Sequence, residues 1–173
     1  MNAMHVSSDD FRFGMRHLAA AVNIVSSLQD GEPRGLLATA VCSVSAEPPL
    51  LLVCINRSAS LYEAITGSGR FCVNALRANQ HALARNFLNV ESKCRFDGLG
   101  WTSLSTGAPA IDGALINFDC EVEQAVTAGT HMIFVGQVVA TRCEGETDPL
   151  LYFRSGYAGL GGLPEDGVPM GAA

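Results

Sequence analysis

Residues 114–142 constrain this chain more than any other stretch. ALINFDCEVEQAV alternates, with Phe118, Cys120 and Val122 on one face and Asp119, Glu121 and Glu123 on the other, which is the pattern of a half-buried antiparallel strand. HMIFVGQVVATR folds back on it across the turn TAGT. A hairpin of this length commits the fold to antiparallel β-structure. Shorter strand-like runs cover 22–28, 36–45, 50–55, 70–76 and 149–153. Asp30-Gly31 marks a hairpin turn, Pro33 and Gly35 are expected to keep residues 29–35 out of any strand, and Pro48-Pro49 separates the next two.

Helical segments are brief. One is expected from Phe11 to about Ala21, capped by Ser8, Asp9 or Asp10; a second over 60–68 closes at Gly67 or Gly69; a third over 79–88 has Asn79 as its cap. Residues 91–113 read as a long Gly-rich loop anchored by Trp101. Six or seven strands with short links predict a mainly β fold, an antiparallel barrel with helices at its ends. The expected organisation is a mobile lead over 1–8, one domain over 9–160 and a flexible tail over 161–173.

A chain of 173 residues buries about two-thirds of its unfolded surface as one domain. Its 48% hydrophobic and 16% charged content excludes a disordered chain and points towards an oligomer. Net charge −6 with 11 Lys plus Arg and no basic run argues against nucleic acid. Cys42, Cys54, Cys72, Cys94, Cys120 and Cys143 form no CxxC pair, so no metal site is expected, and unpaired thiols in apolar runs suit a reducing cytosol. No signal-peptide pattern and no apolar run of membrane-spanning length is read, and the absence of GxGxxG rules out a Rossmann nucleotide site. The expected location is cytoplasmic.

Leu37 to Ser45 is built mostly of Ala, Thr, Ser and Cys around two valines, where a core strand would carry bulkier β-branched residues. Such a stripe admits the close approach of a flat ligand, of a helix or of a second subunit. NRSAS, 56–60, follows a strand and opens a helix, a place where N–H groups, hydroxyls and a guanidinium can converge on a phosphate, and equally an ordinary capped turn.

Taken together, TAVCSVSAEPPLLLVCINRSAS, FCVNAL, GTHMIFVGQVVA and YFRSGYAGL, in this order between Phe11 and Leu160, resemble the flavin reductase family that supplies reduced flavin to two-component monooxygenases, including those acting on hydroxyphenylacetate and chlorinated phenols. The resemblance implies a split antiparallel β-barrel of the FMN-binding type, a homodimer, a flavin groove near the interface, and hydride transfer from NADH or NADPH to FMN or FAD. A separate oxygenase would receive the product. It further implies that backbone groups of Ala38, Thr39, Ala40, Val41 and Cys42 meet the flavin edge, and that Asn56, Arg57, Ser58 and Ser60 hold its phosphate and ribityl chain. Asn74 would face the polar edge or pair with a neighbouring backbone, His131 would position the nicotinamide, and Arg154 and Tyr157 would lie near the site. Lys93 and Arg95 are further candidates for a phosphate, while His5, His17 and His81 receive no role. Two rivals stand beside this reading: a flavoprotein of the same fold that retains FMN and oxidises another substrate, and a flavin-binding module without turnover.

Overall fold

A computed structural model describes residues 6–145 and 147–161. The expected lead and tail fall mostly outside these residues, as does His5, but Ser7 and Ser8 do not belong to a lead. Ser7 caps the first helix, α1 (Ser8–Met15), its hydroxyl accepting the Asp10 N–H at 3.0 Å. The helix ends six residues earlier than its sequence suggests, at Met15 and not at Ala21. Beyond Met15 the Arg16 carbonyl accepts the Arg154 N–H, and Ala20–Ala21 leaves as strand β1, paired to residues 151–152. A partner strand outweighs the helix preference of an alanine run, because propensity is worth only tenths of a kcal/mol per residue.

The main sheet has seven antiparallel strands: β2 (Asn23–Gln29), β3 (Glu32–Ala38), β4 (Val41–Ala46), β5 (Pro49–Asn56), β6 (Arg70–Ala75), β9 (Ile116–Ala128) and β10 (His131–Cys143), in the order β3-β2-β6-β9-β10-β5-β4. Short β7 (Trp101–Ser103) and β8 (Pro109–Ile111) pair within the long loop. β11 (Leu151–Phe153) lies between β1 and β12 (Gly156–Ala158), a strand not expected from the sequence. The sheet's two edges, β3 and β4, are consecutive in the chain and separated only by Thr39 and Ala40. The sheet therefore curls until its edges meet at that corner without pairing to each other, which is a split barrel.

Two expectations about this region are corrected. Pro33 and Gly35 do not interrupt a strand; both sit inside β3, paired to Leu28 and Ser26. An edge strand tolerates proline because its outer side has no ladder partner to lose. Gly35 is required for a different reason: a Cβ there would come within 3.0 Å of the Phe96 ring and 3.1 Å of Phe87. Residues 36–45 are likewise not one strand, since the Thr39–Ala40 corner divides them.

Helix α2 (Ser60–Ser68) ends at Gly69 in the left-handed conformation, φ 68°. It packs on β2, β3, β5 and β6 and sends Leu61, Ala64 and Ile65 into the barrel core with Val25, Val53, Phe71 and Phe134. Helix α3 (His81–Asn89) covers the outer face, where Ala84 and Phe87 join Val22, Ile24, Leu76 and Phe96 in a second core. Asn79 is not its cap, lying instead within a short 3-10 turn, Ala78–Gln80, closed by the Gln80 side chain on the Arg77 N–H at 2.8 Å.

Asp119 departs from the solvent face expected of it. It is fully buried, its carboxylate accepting the N–H groups of Ser105 and Thr106, each at 2.7 Å, and the Thr106 hydroxyl at 2.6 Å. Strand alternation alone cannot show that a distant loop covers the polar face and brings donors to it. Among the described residues no helix is long and apolar enough to cross a membrane, no group of three metal-ligating side chains gathers, and all six cysteines are free.

Candidate functional site

The corner between β3 and β4 opens into a cavity of about 360 Å³. Leu36 to Ala40 form one wall, Cys54, Asn56 and His131 bring up the facing strand ends, and Phe87, Leu88 and Arg95 close it from α3 and the loop beyond. The corner's carbonyls are engaged: Thr39 accepts the Val41 N–H at 3.1 Å and Ala40 accepts the Cys54 N–H at 3.2 Å. Neither the Thr39 nor the Ala40 N–H is matched to a protein acceptor among the described residues. With small side chains on both sides, these amides are open to the carbonyls and ring nitrogens of a flat ligand.

Two polar side chains stand at the rim. His131 begins β10 directly opposite Asn56 at the end of β5, and its Nδ1 is 3.0 Å from the Thr130 hydroxyl. The Asn56 side-chain oxygen, Oδ1, accepts both the N–H and the hydroxyl of Ser58, at 3.0 and 2.9 Å. This side-chain turn directs the chain into α2 and gives Asn56 a fixed orientation.

The cavity's cation is Arg95. Its Nε donates to the Val90 carbonyl at 3.1 Å and its Nη1 to the Gly35 carbonyl at 2.8 Å, so two backbone carbonyls fix the guanidinium while leaving it other donors. Burial lowers its pKa, yet a guanidinium stays charged at neutral pH. Among the described residues no carboxylate lines the cavity. A planar ligand bearing an anionic group suits these walls.

Other expected residues lie elsewhere. Arg57 is fastened to the β9–β10 turn, its N–H on the Thr130 carbonyl at 3.1 Å and its Nη2 on the Gly129 carbonyl at 3.4 Å, and it does not line the cavity. Ser60 is paired to Ser92 at 2.6 Å. Val41 and Cys42 run on along β4, opposite Val53 and Leu52. Arg154 is exposed in a left-handed turn, φ 48°, with its guanidinium carbon 5.2 Å from the centre of the Phe153 ring.

Asn74 is a correction. It is fully buried, its amide donating to the Ile24 carbonyl and Ser26 hydroxyl, and its oxygen accepting from Ile111 N–H at 2.8 Å and Asn117 at 2.7 Å. The pairing alternative for this strand asparagine is the one the fold adopts, since buried amide groups must find partners.

Two further spaces open from the same corner. One of about 130 Å³ shares Leu37, Ala38, Thr39 and Leu88 with the cavity and is completed by Val22, Tyr152 and Tyr157. The Tyr157 hydroxyl is buried without a partner among the described residues, and burial, reinforced by Tyr152, raises its pKa against a smaller lowering by Arg85. The other, about 610 Å³, shares Thr39 and Ala40 and extends under α1. Cys54, Phe87 and Leu88 were not foreseen as wall residues, and no local signal marks them.

The flavin reductase like domain model matches residues 15–161. The chain is 46% identical over 153 residues to "FMN reductase (NADH) RutF" of Pseudomonas syringae, covering 88% of this chain and 86% of that one. Among solved structures it is similar to nitrilotriacetate monooxygenase component B from Mycobacterium thermoresistibile, at 31% identity, TM-score 0.85 and coverage of 95% and 92%. It is also similar to the NADH:FAD oxidoreductase SgcE6 of Streptomyces globisporus in complex with NAD and FAD fragments, at 28% identity, TM-score 0.82 and coverage of 95% and 100%.

Proposed function

The chain belongs to the flavin reductase like domain family, and from that premise we propose that it is an NADH-dependent FMN reductase that releases reduced flavin to a separate monooxygenase. The observation that carries this reading is the convergence, in one cavity, of two unmatched backbone amides at Thr39 and Ala40, the fixed Arg95 guanidinium and the His131–Asn56 rim. The flavin supplies the electron acceptor: the C4–H bond of the dihydronicotinamide breaks, both electrons pass with the hydrogen to flavin N5, and the nicotinamide leaves as the cation.

The protein's part is placement. Holding the two rings at reactive distance accounts for most of what such a site must do, because the transfer needs no strong base. Thr39 and Ala40 N–H groups hold the polar edge of the flavin, Arg95 meets its phosphate, and His131 orients the nicotinamide over the ring. FMN rather than FAD, and NADH rather than NADPH, follow the RutF relative. The cavity is open, with small residues at the Ala38–Ala40 corner, which suits exchange of flavin more than retention.

We further read the protein as a cytosolic homodimer. Helix α1 buries none of its residues, and Phe11, Phe13 and Leu18 are each more than 60% exposed, more apolar surface than a monomer ordinarily leaves uncovered. Sedimentation at low micromolar concentration should report twice the chain mass of 18.2 kDa. For the activity, protein mixed with NADH and FMN in air should consume NADH only when FMN is present and form hydrogen peroxide, leaving added phenols untouched. No NADH loss, or a hydroxylated phenol, overturns the reading.

A further inference from the structure

We propose that Arg57, Arg85 and Lys93 form a cationic ring around the Thr39–Ala40 corner that draws phosphate-bearing ligands from solution by long-range attraction, without any of the three joining the bound complex. This rests on the function proposed above and adds how its flavin arrives. Each of the three side chains belongs to an exposed residue and none lines the flavin cavity, yet each stands next to its walls. Arg57 follows the rim residue Asn56, Arg85 lies on α3 two positions before the wall residue Phe87, and Lys93 lies two positions before Arg95. The Arg85 charge is also felt at the Tyr157 hydroxyl, in the smaller space that shares Thr39 with the cavity.

The distribution of charge sets this corner apart. Among the described residues Arg57, Arg85, Lys93 and Arg95 make no ion pair, and no carboxylate lines any of the three spaces that meet at Thr39. Glu91 and Asp97 are exposed on the segment that carries Lys93 and Arg95, and with both counted the four cations still leave a local excess of positive charge. Two other cavities, each of about 420 Å³, share no residue with the flavin cavity; Asp30 and Glu63 line one, Glu121 lines the other, and Arg70 lines both. The first opens at Gly67 and Ser68, in the last turn of α2, whereas the NRSAS turn begins that helix at the rim. A helix of 9 residues is about 13 Å long, more than the screening length of about 10 Å at 0.1 M salt. A chain of net charge −6 thus presents a positive face to an anion at this corner, while the acids at the other end of α2 are screened from it. Such fields raise association rates by about tenfold or more, and charges outside the contact change arrival more than departure.

Stopped-flow quenching of flavin fluorescence by the full-length protein tests this, with riboflavin as the uncharged probe beside FMN. The wild-type association rate for FMN should exceed that for riboflavin at 0.1 M salt and converge on it at 1 M, where the screening length is about 3 Å. The triple variant Arg57→Gln, Arg85→Gln, Lys93→Gln should lower the FMN association rate at 0.1 M by about tenfold, leave the dissociation rate and the riboflavin rates at wild-type values, and match the wild type at 1 M. Neutralising the distant acids with Glu63→Gln and Glu121→Gln should leave the FMN association rate unchanged at 0.1 M. Equal wild-type rates for FMN and riboflavin at 0.1 M overturn the inference without any variant. So does a faster dissociation in the triple variant, which would put the three side chains in contact with the flavin, and so does a gain from the distant neutralisations as large as the triple variant's loss, which would make total charge the cause. Failure of the wild-type protein to bind FMN at any salt concentration would instead overturn the function on which the inference rests.

Discussion

His131 and Asn56 face each other across β10 and β5 as directly paired residues, so an imidazole and a turn-forming amide share one rim of the corner cavity. Cross-strand partners project to the same side of a sheet, which gives His131 a fixed outlook over whatever occupies the corner. Replacement by Ala should raise the KM for NADH or slow flavin reduction in stopped flow, while the FMN titration stays at its wild-type midpoint. Equal losses for both substrates would move His131 onto the flavin.

Arg95 and Arg57 are separable. Losing a charge-assisted bond to the phosphate costs roughly 1.5–3 kcal/mol, about a ten- to hundredfold rise in dissociation constant. Arg95→Ala should weaken FMN by that amount and riboflavin far less; Arg57, engaged with the Gly129 carbonyl, should fall well short of it. The opposite ranking in a fluorescence titration would return the phosphate to the NRSAS turn.

Asn74→Ala should act on stability and not on the site. The Ile111 N–H and the Asn117 amide lose their acceptor in a fully buried position, costing roughly 2–4 kcal/mol. Urea unfolding measures the loss, and the remaining folded protein should bind FMN with wild-type affinity. A folded variant that no longer binds FMN would place Asn74 in the flavin site.

Gly136 in β10 has no room for a side chain. A Cβ would meet the Phe71 ring at 2.6 and 2.7 Å and the Cys120 Cβ at 2.9 Å, in the middle of the barrel core. Gly136→Ala should destabilise by roughly 1–3 kcal/mol, as overpacking does, seen as a lowered melting temperature with FMN affinity retained.

The buried thiols predict an alkaline loss of stability. Burial, with the Asp119 charge adding to it, pushes Cys120 up to about 12 from the ordinary 9.0. Burial and the charges of Asp119 and Cys120 push Cys72 up as well, with Arg142 opposing. The folded chain thus keeps protons that the unfolded chain releases, so this contribution is intact below pH 9.0 and is lost as pH rises through the folded values. The urea midpoint should fall above pH 9, and the Cys72→Ala, Cys120→Ala double variant should show a flatter fall. The exposed Cys42, Cys94 and Cys143 should react with a thiol reagent at pH 8, whereas Cys72 and Cys120 should react only on unfolding.

The sequence by itself determined the antiparallel β-character, the long hairpin, the Asp30-Gly31 turn and α2 with a glycine stop at Gly67 or Gly69, because each depends on neighbours a few residues apart. The family motifs also carried the corner at Ala38 to Ala40, Asn56 and His131 to within one cavity. Only the tertiary structure decided which cation serves that cavity. Arg57 sits in the motif but is bound to a turn, while Arg95, 38 positions further on, is brought in by α3 packing and held by the Gly35 carbonyl. The same holds where residues distant in sequence set the environment: Asp119 turned inward because loop donors at Ser105 and Thr106 reach it, and Ala20–Ala21 became a strand because β11 lies beside it. Strand alternation and helix propensity act over one or two turns of chain and are worth tenths of a kcal/mol per residue. Burial and hydrogen bonding between distant segments are worth several times more, and they settle such positions only once the barrel has closed.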